Sequence, residues 1–175
     1  MSLEEDHPHR LYHDKEYGFP IGSDDELFGR LLLEINQAGL SWITILKKQE
    51  NFKNAYSNFS IEKVANYTEK DIDRLLNDSG IIRNRLKVGA AIHNAKAILD
   101  LQKEHGSFEA FLDQHIGYEL ADWVKLFKKH FNFTGGEICN EFLMSSSYLP
   151  GAHDENCQIY KEIASRNPKW MISTK

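Results

Sequence analysis

The sequence has 175 residues, of which 41% are hydrophobic and 27% are charged, and its formal net charge is −5. This length is sufficient for one domain with a substantial core, or for two small lobes that share a core. The charge argues against a protein that coats nucleic acid without specificity, because such proteins are normally basic. No apolar run approaches the ~20 residues of a membrane-spanning helix, so we expect no association with membranes.

The cysteine content indicates the compartment. Two cysteines, Cys139 and Cys157, are too few for a disulfide framework, and the acidic, histidine-rich start of the chain does not resemble a secretory signal. Both features are typical of a protein in a reducing environment. We therefore expect a cytoplasmic protein, and we expect it to be a monomer.

The predicted secondary structure is helical along most of the chain. Residues 1–22 lack hydrophobic periodicity and contain two prolines and two glycines, so we predict a loop with short turns there. Further along, apolar residues recur at helical spacing and no run alternates as a half-buried strand does. The predicted helices span about 24–38, 41–57, 61–67, 68–78, 85–105, 107–115, 119–130, 136–146 and 155–166. The sequence therefore predicts an all-α protein that forms a single domain over residues 1–175.

A glutamate lies at the margin of the apolar face of the first predicted helix. Leu27, Leu31 and Glu34 follow the spacing i, i+4, i+7 and share one side of this helix. A carboxylate in such a position is costly unless it has a partner or a ligand. Gly39 can end the helix, and the next helix begins close to Trp42. This geometry would bring Glu34 and Trp42 towards a common space, a carboxylate beside a flat aromatic ring.

The same pattern also has a purely structural interpretation. Arg30 precedes Glu34 by four residues, so the two side chains can form an ion pair on the helix surface. Trp42 would then be an ordinary core residue. From this stretch alone both interpretations remain open, and they differ in whether Glu34 faces solvent beside Arg30 or a space shared with Trp42.

A helix–hairpin–helix is predicted over about 71–99. One helix ends, Gly80 permits a tight reversal, and a long helix follows at once. Backbone N–H groups and the helix N-terminus at such a turn can hold a phosphate of the DNA backbone, and Arg83, Arg85 and Lys87 would add positive charge. This arrangement binds DNA without reading its sequence. Most helix–glycine–helix turns serve only in packing, so the turn by itself leaves both functions open.

Three segments carry a resemblance to a known family. Residues 12–18 read YHDKEYG, residues 37–48 read QAGLSWITILKK, and residues 80–83 read GIIR. They resemble the DNA-3-methyladenine glycosylase I family, and the similarity extends over about residues 11–104. The resemblance implies an all-α fold of the helix–hairpin–helix DNA glycosylase type. It also implies an enzyme of base-excision repair that hydrolyses the N-glycosidic bond of 3-methyladenine in double-stranded alkylated DNA.

The resemblance implies roles for individual residues. Glu34 would be the catalytic residue and would hydrogen-bond the flipped base, while Tyr12 and Trp42 would stack on the base or line its pocket. Tyr17 would belong to the same pocket, although the family usually has tryptophan there. A cationic base over Trp42 would gain cation–π attraction, and an ionised Glu34 would favour it over neutral adenine.

The family also resembles a zinc protein whose ligands are two cysteines and two histidines. The resemblance assigns three ligands to His13, His153 and Cys157, which are residue types found in closed tetrahedral sites. The family's cysteine near the N-terminus is absent here, so either a truncation removed it, or His7 or His9 substitutes for it, or the site binds zinc poorly. We expect a structural zinc ion that links the two ends of the chain. The segments that it would join are 7–13 and 153–157.

The family commonly has small hydroxyl residues after the glycine that corresponds to Gly135. Gly136 and Glu137 stand there in this chain, and Glu141 lies further on. An acidic side chain near a DNA-binding surface would weaken phosphate contacts. Together with Tyr17 and the negative net charge, this leaves an alternative open, namely a DNA- or methylated-base-binding relative without glycosylase turnover. A zinc-stabilised interaction domain is a further alternative.

Overall fold

Helices form the framework of the molecule, and residues 4–172, which the computed structural model describes, contain no β-strand. The predicted all-α class is therefore confirmed. Within the same range, no helix is both long and apolar enough to cross a bilayer. The helices are α1 (Pro8–Lys15), α2 (Asp24–Gln37), α3 (Trp42–Lys47), α4 (Gln49–Ala55), α5 (Ile61–Ala65), α6 (Glu69–Leu76), α7 (Arg85–His105), α8 (Phe108–Asp113), α9 (Leu120–His130), α10 (Gly136–Ser145) and α11 (Gln158–Ser165). Short 3-10 turns occur at Ser57–Phe59 and Lys169–Met171.

Helix α2 lies at the centre of the fold. Every residue from Leu27 to Asn36 is buried, including the charged Arg30 and Glu34. The cause is that α2 packs against α3, α4, α5, α7, α8 and α10. The sequence predicted an apolar face with Glu34 at its margin, so the burial is more complete than the spacing indicated.

The two ends of α2 agree with the sequence prediction. The Ser23 hydroxyl accepts a hydrogen bond from the backbone N–H of Glu26 at 3.3 Å and caps the first turn. Gly39 follows the C-terminal end with a φ of +80°, a conformation that glycine adopts without steric cost. The chain can therefore reverse at once into α3, which begins at Trp42.

The long helix α7 is tied to the end of α2 by a buried lysine. The Lys87 ammonium group donates to the carbonyl oxygens of Asn36 and Ala38, both at 3.1 Å. These carbonyls have no partners within their own helix, so the lysine satisfies them. Grouping Lys87 with Arg83 and Arg85 as a phosphate-binding cluster was therefore wrong, because its ammonium group points into the protein.

The first helix occupies a segment that the sequence predicted as loop. Pro8 stands at the first position of α1, and the His7 side chain caps the helix by accepting a hydrogen bond from the His9 N–H at 3.2 Å. The locked φ of proline suits the first helical position, so the residue that suggested a loop begins a helix instead. Packing of α1 against α3 then supports it.

The helix predicted over 41–57 is divided in the structure. It consists of α3 and α4, and it ends at Ser57, Asn58 and Phe59, whose φ values are +55°, +57° and +58°. Left-handed residues cannot continue a right-handed helix. The Phe59 ring packs against α2 at Gly29, where an added Cβ would lie only 2.5 Å from the ring. The helix is therefore interrupted where Phe59 contacts the central helix α2.

Candidate active site

A cavity of about 890 Å³ lies between α1, the end of α2, the start of α3 and the start of α10. Tyr12, Tyr17, Glu34 and Trp42 all line it, so the structure brings together the four residues that the resemblance assigned to base binding. The volume is typical of small-molecule sites. The other lining residues are His9, His13, Gln37, Ala38, Gly39, Gly135, Gly136, Glu137, Ile138, Asn140 and Glu141.

Glu34 is a buried acid on the wall of this cavity, with 3% of its surface exposed. Burial, and after it the negative charge of Glu141, raises the pKa of its carboxyl group to about 8 against the opposing effect of Arg30. Arg30 is itself buried, donates to the Ser145 carbonyl oxygen at 3.0 Å, and pairs with Glu16 at 3.6 Å. The alternative of an exposed Arg30–Glu34 pair is therefore wrong, and Glu34 faces the cavity.

Three aromatic side chains line the cavity beside this acid. The ring centroid of Tyr12 lies 5.2 Å from that of Trp42 and 5.5 Å from that of Tyr17. Burial raises the pKa of the Tyr12 hydroxyl, which stays neutral and has no hydrogen-bond partner within residues 4–172. Aromatic faces beside a carboxyl group are suited to a flat ring that carries positive charge.

A second acid of the cavity was not assigned to it by the sequence analysis. Glu141 accepts a hydrogen bond from the Tyr17 hydroxyl at 3.2 Å, and burial together with the charge of Glu141 raises the pKa of Tyr17. Glu137 and Glu141 are four residues apart and share one side of α10. That spacing was visible in the sequence, but nothing local indicated that this side of α10 faces Glu34.

The three predicted metal ligands lie together beside the cavity. The His13 Nε2 atom is 3.1 Å from His153 Nδ1, and the Cys157 Sγ atom is 4.0 Å and 3.9 Å from these nitrogens. Tetrahedral zinc would need about 3.3 Å between the nitrogens and about 3.6 Å between sulfur and nitrogen. The outer nitrogens donate to Asp14 and to the Tyr17 carbonyl oxygen, both at 2.7 Å. The inner lone pairs therefore face each other, an arrangement that a bound cation would stabilise.

The fourth ligand expected from His7 or His9 is not in this group. His7 caps α1 and His9 lines the cavity. Among the described residues, the histidine, cysteine and acidic side chains that could share an ion here are His13, His153 and Cys157 alone. The donor types, and the hydrogen bonds that orient the His13 and His153 rings, fit a zinc ion with three protein ligands.

The hairpin between α6 and α7 carries the predicted DNA-backbone residues. The Gly80 N–H donates to the Asp78 carboxylate at 2.8 Å, and its carbonyl oxygen accepts from Asn51 at 3.2 Å. Gly80 does not have a positive φ, but an added Cβ would lie 3.0 Å from Asp78 and 3.2 Å from Asn51. Close approach, rather than the predicted tight reversal, therefore favours glycine. Arg83 and Arg85 are exposed to solvent.

A second groove, of about 710 Å³, joins the hairpin to the cavity. Gly135 lines both, while Arg85 and Lys128 contribute positive charge to the groove. Two apolar side chains of the groove are exposed, Leu86 at 70% and Phe133 at 42%. One continuous surface therefore runs from the cavity to the start of α7.

Comparison with known proteins assigns the chain to a family. Residues 2–130 match the model of the Methyladenine glycosylase family. The chain belongs to this family. It is 35% identical over 168 residues to DNA-3-methyladenine glycosylase 1 of Escherichia coli (strain K12), and the match covers 85% of this chain and 89% of that protein.

Solved structures of 3-methyladenine DNA glycosylase I share the fold of this methyladenine glycosylase. A variant of that enzyme in complex with 3-methyladenine gives a TM-score of 0.82 at 32% identity, over 89% of this chain and 93% of that chain. The Staphylococcus aureus enzyme, which was solved to explain recognition of 3-methyladenine, gives 0.81 at 33% identity, over 89% and 92%. The predicted glycosylase fold is therefore confirmed.

Proposed function

We propose that this methyladenine glycosylase is a DNA-3-methyladenine glycosylase, a hydrolase that cleaves the N-glycosidic bond of 3-methyladenine in alkylated DNA and thereby begins base-excision repair. The observation that carries this proposal is the placement of Glu34 and Trp42 on one cavity, with Tyr12 and Tyr17 beside them. The relatives support it, since the Escherichia coli protein is named for this activity and a similar solved structure holds 3-methyladenine.

The cavity is suited to selecting a cationic purine. A 3-methylated adenine in DNA carries a positive charge that already weakens its glycosidic bond, so the enzyme must chiefly extrude the damaged base and hold it. Stacked on Trp42, the cation would gain ~1–2 kcal/mol of attraction in a dry site. Glu34 would accept a hydrogen bond from the exocyclic amine. Neutral adenine gains less from both contacts.

Glu34 contributes further because its ionisation is coupled to the charge of the base. With its pKa raised to about 8, the carboxyl group is mostly protonated at neutral pH. A cationic base beside it lowers this pKa and releases the proton, whereas a neutral base has no such effect. The ionised Glu34 expected from the sequence therefore becomes an acid that ionises when the cation binds.

The other acids near the N-terminus are occupied elsewhere. Asp14 accepts a hydrogen bond from His13, Glu16 pairs with Arg30, and neither lines the cavity. Activation of water by these carboxylates therefore has no geometric support. We assign to this chain the binding of the cationic base and the stabilisation of its departure, while water attacks the sugar.

Double-stranded DNA is proposed to lie across the surface that runs from the cavity to the hairpin. Arg83, Arg85 and Lys128 are exposed there, and Leu86 and Phe133 provide exposed apolar contact beside them. Because the net charge of the chain is −5, backbone contacts must be local to this face. Such contacts position the duplex without reading its sequence.

The test of the proposed function is release of free base from methylated DNA. Wild-type protein should release 3-methyladenine and leave abasic sites. Glu34→Ala should reduce release by at least about a hundredfold, because it removes the carboxyl group that ionises beside the cationic base and stabilises it. Glu62→Ala, which removes an exposed acid on α5, is the matched control and should release base at the wild-type rate. Undiminished release by Glu34→Ala would contradict the assignment of the catalytic residue.

A base-binding relative without turnover is the second candidate. It is favoured by Glu137 and Glu141, which bring additional negative charge to the cavity and its rim. This candidate predicts that wild-type protein binds free 3-methyladenine and yet releases no base from DNA that carries several kinds of alkylated purine. Base release by the wild-type protein would exclude it.

We also propose that a structural zinc ion is held by His13, His153 and Cys157. The ion would join α1 to the segment before α11 and would supply stability, with no part in bond cleavage. Elemental analysis of protein purified without added metal should give about one zinc per chain. Cys157→Ser should lower both the zinc content and the midpoint of thermal unfolding. A chelator should lower this midpoint in the wild-type protein but not in Cys157→Ser. Full zinc content in Cys157→Ser would contradict the ligand assignment.

A further inference from the structure

We propose that Glu141 is a specificity-determining residue of the base cavity, a second anionic side chain that is oriented by Tyr17 and makes binding depend on the positive charge of the base. This inference rests on the proposed function and goes further, because it separates charge from shape in the recognition of the base.

The two acids reach the cavity from different helices. Glu34 lies on α2 and Glu141 on α10, and these helices pack against each other. The Tyr17 hydroxyl donates to the Glu141 carboxylate at 3.2 Å. A phenol hydroxyl is an uncharged donor, so this hydrogen bond orients the carboxylate without cancelling its charge.

The cations near these acids have partners elsewhere. Arg30, which favours the ionised form of Glu34, pairs with Glu16 and donates to the Ser145 carbonyl oxygen. The imidazoles of His9 and His13, the phenols of Tyr12 and Tyr17 and one exposed acid, Glu137, also line the cavity. Within the described residues, no salt bridge joins a lysine or arginine to Glu34 or to Glu141.

A positively charged base therefore favours the state in which both acids are ionised. Two carboxylates that share a site oppose each other's ionisation, and the charge of Glu141 is the second-largest cause of the raised Glu34 pKa. A cation between the two acids is attracted by both. A neutral base of the same shape gains no such attraction from either acid, so the charge of Glu141 increases the difference in affinity between the cationic and the neutral base.

The experiment compares two probes of equal shape. The fixed cation 3,9-dimethyladeninium represents the lesion base with a methyl group in place of the sugar, and 3,9-dimethyl-3-deazaadenine is its neutral isostere. The ratio of their Kd values by calorimetry reports recognition of charge and cancels recognition of shape. At about pH 8.5, Glu141→Gln should lower the preference for the cation about tenfold, the order expected for one charge at short range in a partly buried site.

Two further variants separate charge from structure. Tyr17→Phe should lower the preference by a smaller factor, because Glu141 keeps its charge and loses its orientation, and adding Tyr17→Phe to Glu141→Gln should change the ratio no further. Glu137→Gln removes a charge from the same side of α10 at an exposed position, so solvent screening should make its effect smaller than that of Glu141→Gln. The pH at which cation affinity reaches its plateau should fall in Glu141→Gln, since Glu34 then ionises more readily.

Each outcome bears on the proposal. An unchanged ratio in Glu141→Gln, with both probes bound, would overturn it and leave the proposed function standing. If Glu141→Gln does not fold, an unchanged ratio in Tyr17→Phe would overturn it instead. Failure of the wild-type protein to bind the cation would overturn the proposed function, and this inference with it.

Discussion

The base cavity and the α6–α7 hairpin both carry ionisable residues that were predicted to contact DNA, but the two regions treat charge in opposite ways. In the cavity, Glu34 is almost fully buried and its pKa is raised to about 8 by burial and by Glu141. At the hairpin, Arg83 and Arg85 are exposed to solvent. The Glu34 side chain has little contact with solvent, whereas solvent surrounds Arg83 and Arg85.

This difference predicts two kinds of contribution. A charge in a desolvated site interacts strongly and specifically, because little solvent screens it. A charge on an exposed surface interacts weakly and in a salt-dependent manner. Recognition of the damaged base should therefore depend on a few cavity residues with large individual effects. Binding of the DNA backbone should instead depend on many residues with small individual effects. The following predictions test this contrast.

The largest effect expected is the pH dependence of cation binding. Glu34 must lose a proton for the cation to bind fully, so the affinity for 3,9-dimethyladeninium should rise about 30-fold from about pH 6 to about pH 8.5 and then level off. Glu34→Gln cannot ionise and should show a flat profile over this range. Calorimetry in buffers of different ionisation enthalpy would measure the released proton. An equally steep profile in Glu34→Gln would assign the titration to another group.

The next effect concerns the lysine that connects the two regions. Lys87→Met should lower the free energy of unfolding by about 2 kcal/mol, because the carbonyl oxygens of Asn36 and Ala38 lose their charged donor. Urea titration followed by circular dichroism would measure it. Lys96→Met changes an exposed lysine of the same helix and should stay within about 0.5 kcal/mol of the wild-type value. Equal stability of the two variants would mean that Lys87 does not stabilise the end of α2.

Removal of the cavity indole should have a moderate effect. Trp42→Ala should reduce kcat/KM for base release about tenfold, which corresponds to the loss of one cation–π contact in a desolvated site. Trp170→Ala is the matched control, since Trp170 packs near Tyr160 and does not line the cavity. A similar loss in both variants would indicate destabilisation of the protein rather than a contact with the base.

The smallest effect is expected at the hairpin. Arg83→Ala should weaken binding of duplex DNA by about twofold to threefold at moderate salt. It should also reduce the slope of log affinity against log salt concentration by about one, which corresponds to one counterion released. Binding of the free base should not change, because Arg83 does not line the cavity. Fluorescence anisotropy at several salt concentrations would measure both properties. A loss as large as that in Trp42→Ala would contradict the contrast between the two regions.

Local sequence determined most of the helices and, through its motifs, the family. The predicted span of about 24–38, with Gly39 ending the helix, agrees with both ends of α2, since capping depends on residues within one helical turn. The segment around Trp42 and the segment around Tyr12 indicated which side chains would share the cavity. These features depend on short-range spacing, so they could be predicted without knowledge of packing.

Only the tertiary structure decided how charge is arranged around that cavity. The contact between Tyr17 and Glu141 joins residues 124 apart, and the contact between His13 and His153 joins residues 140 apart. Lys87 was expected to face a phosphate. Instead, it donates to carbonyl oxygens at the end of α2 that belong to residues 49 and 51 positions earlier in the sequence. Helical spacing says which residues share a side of a helix, but which sides meet depends on how the whole core packs, and it is this meeting that removes water from Glu34 and sets its pKa.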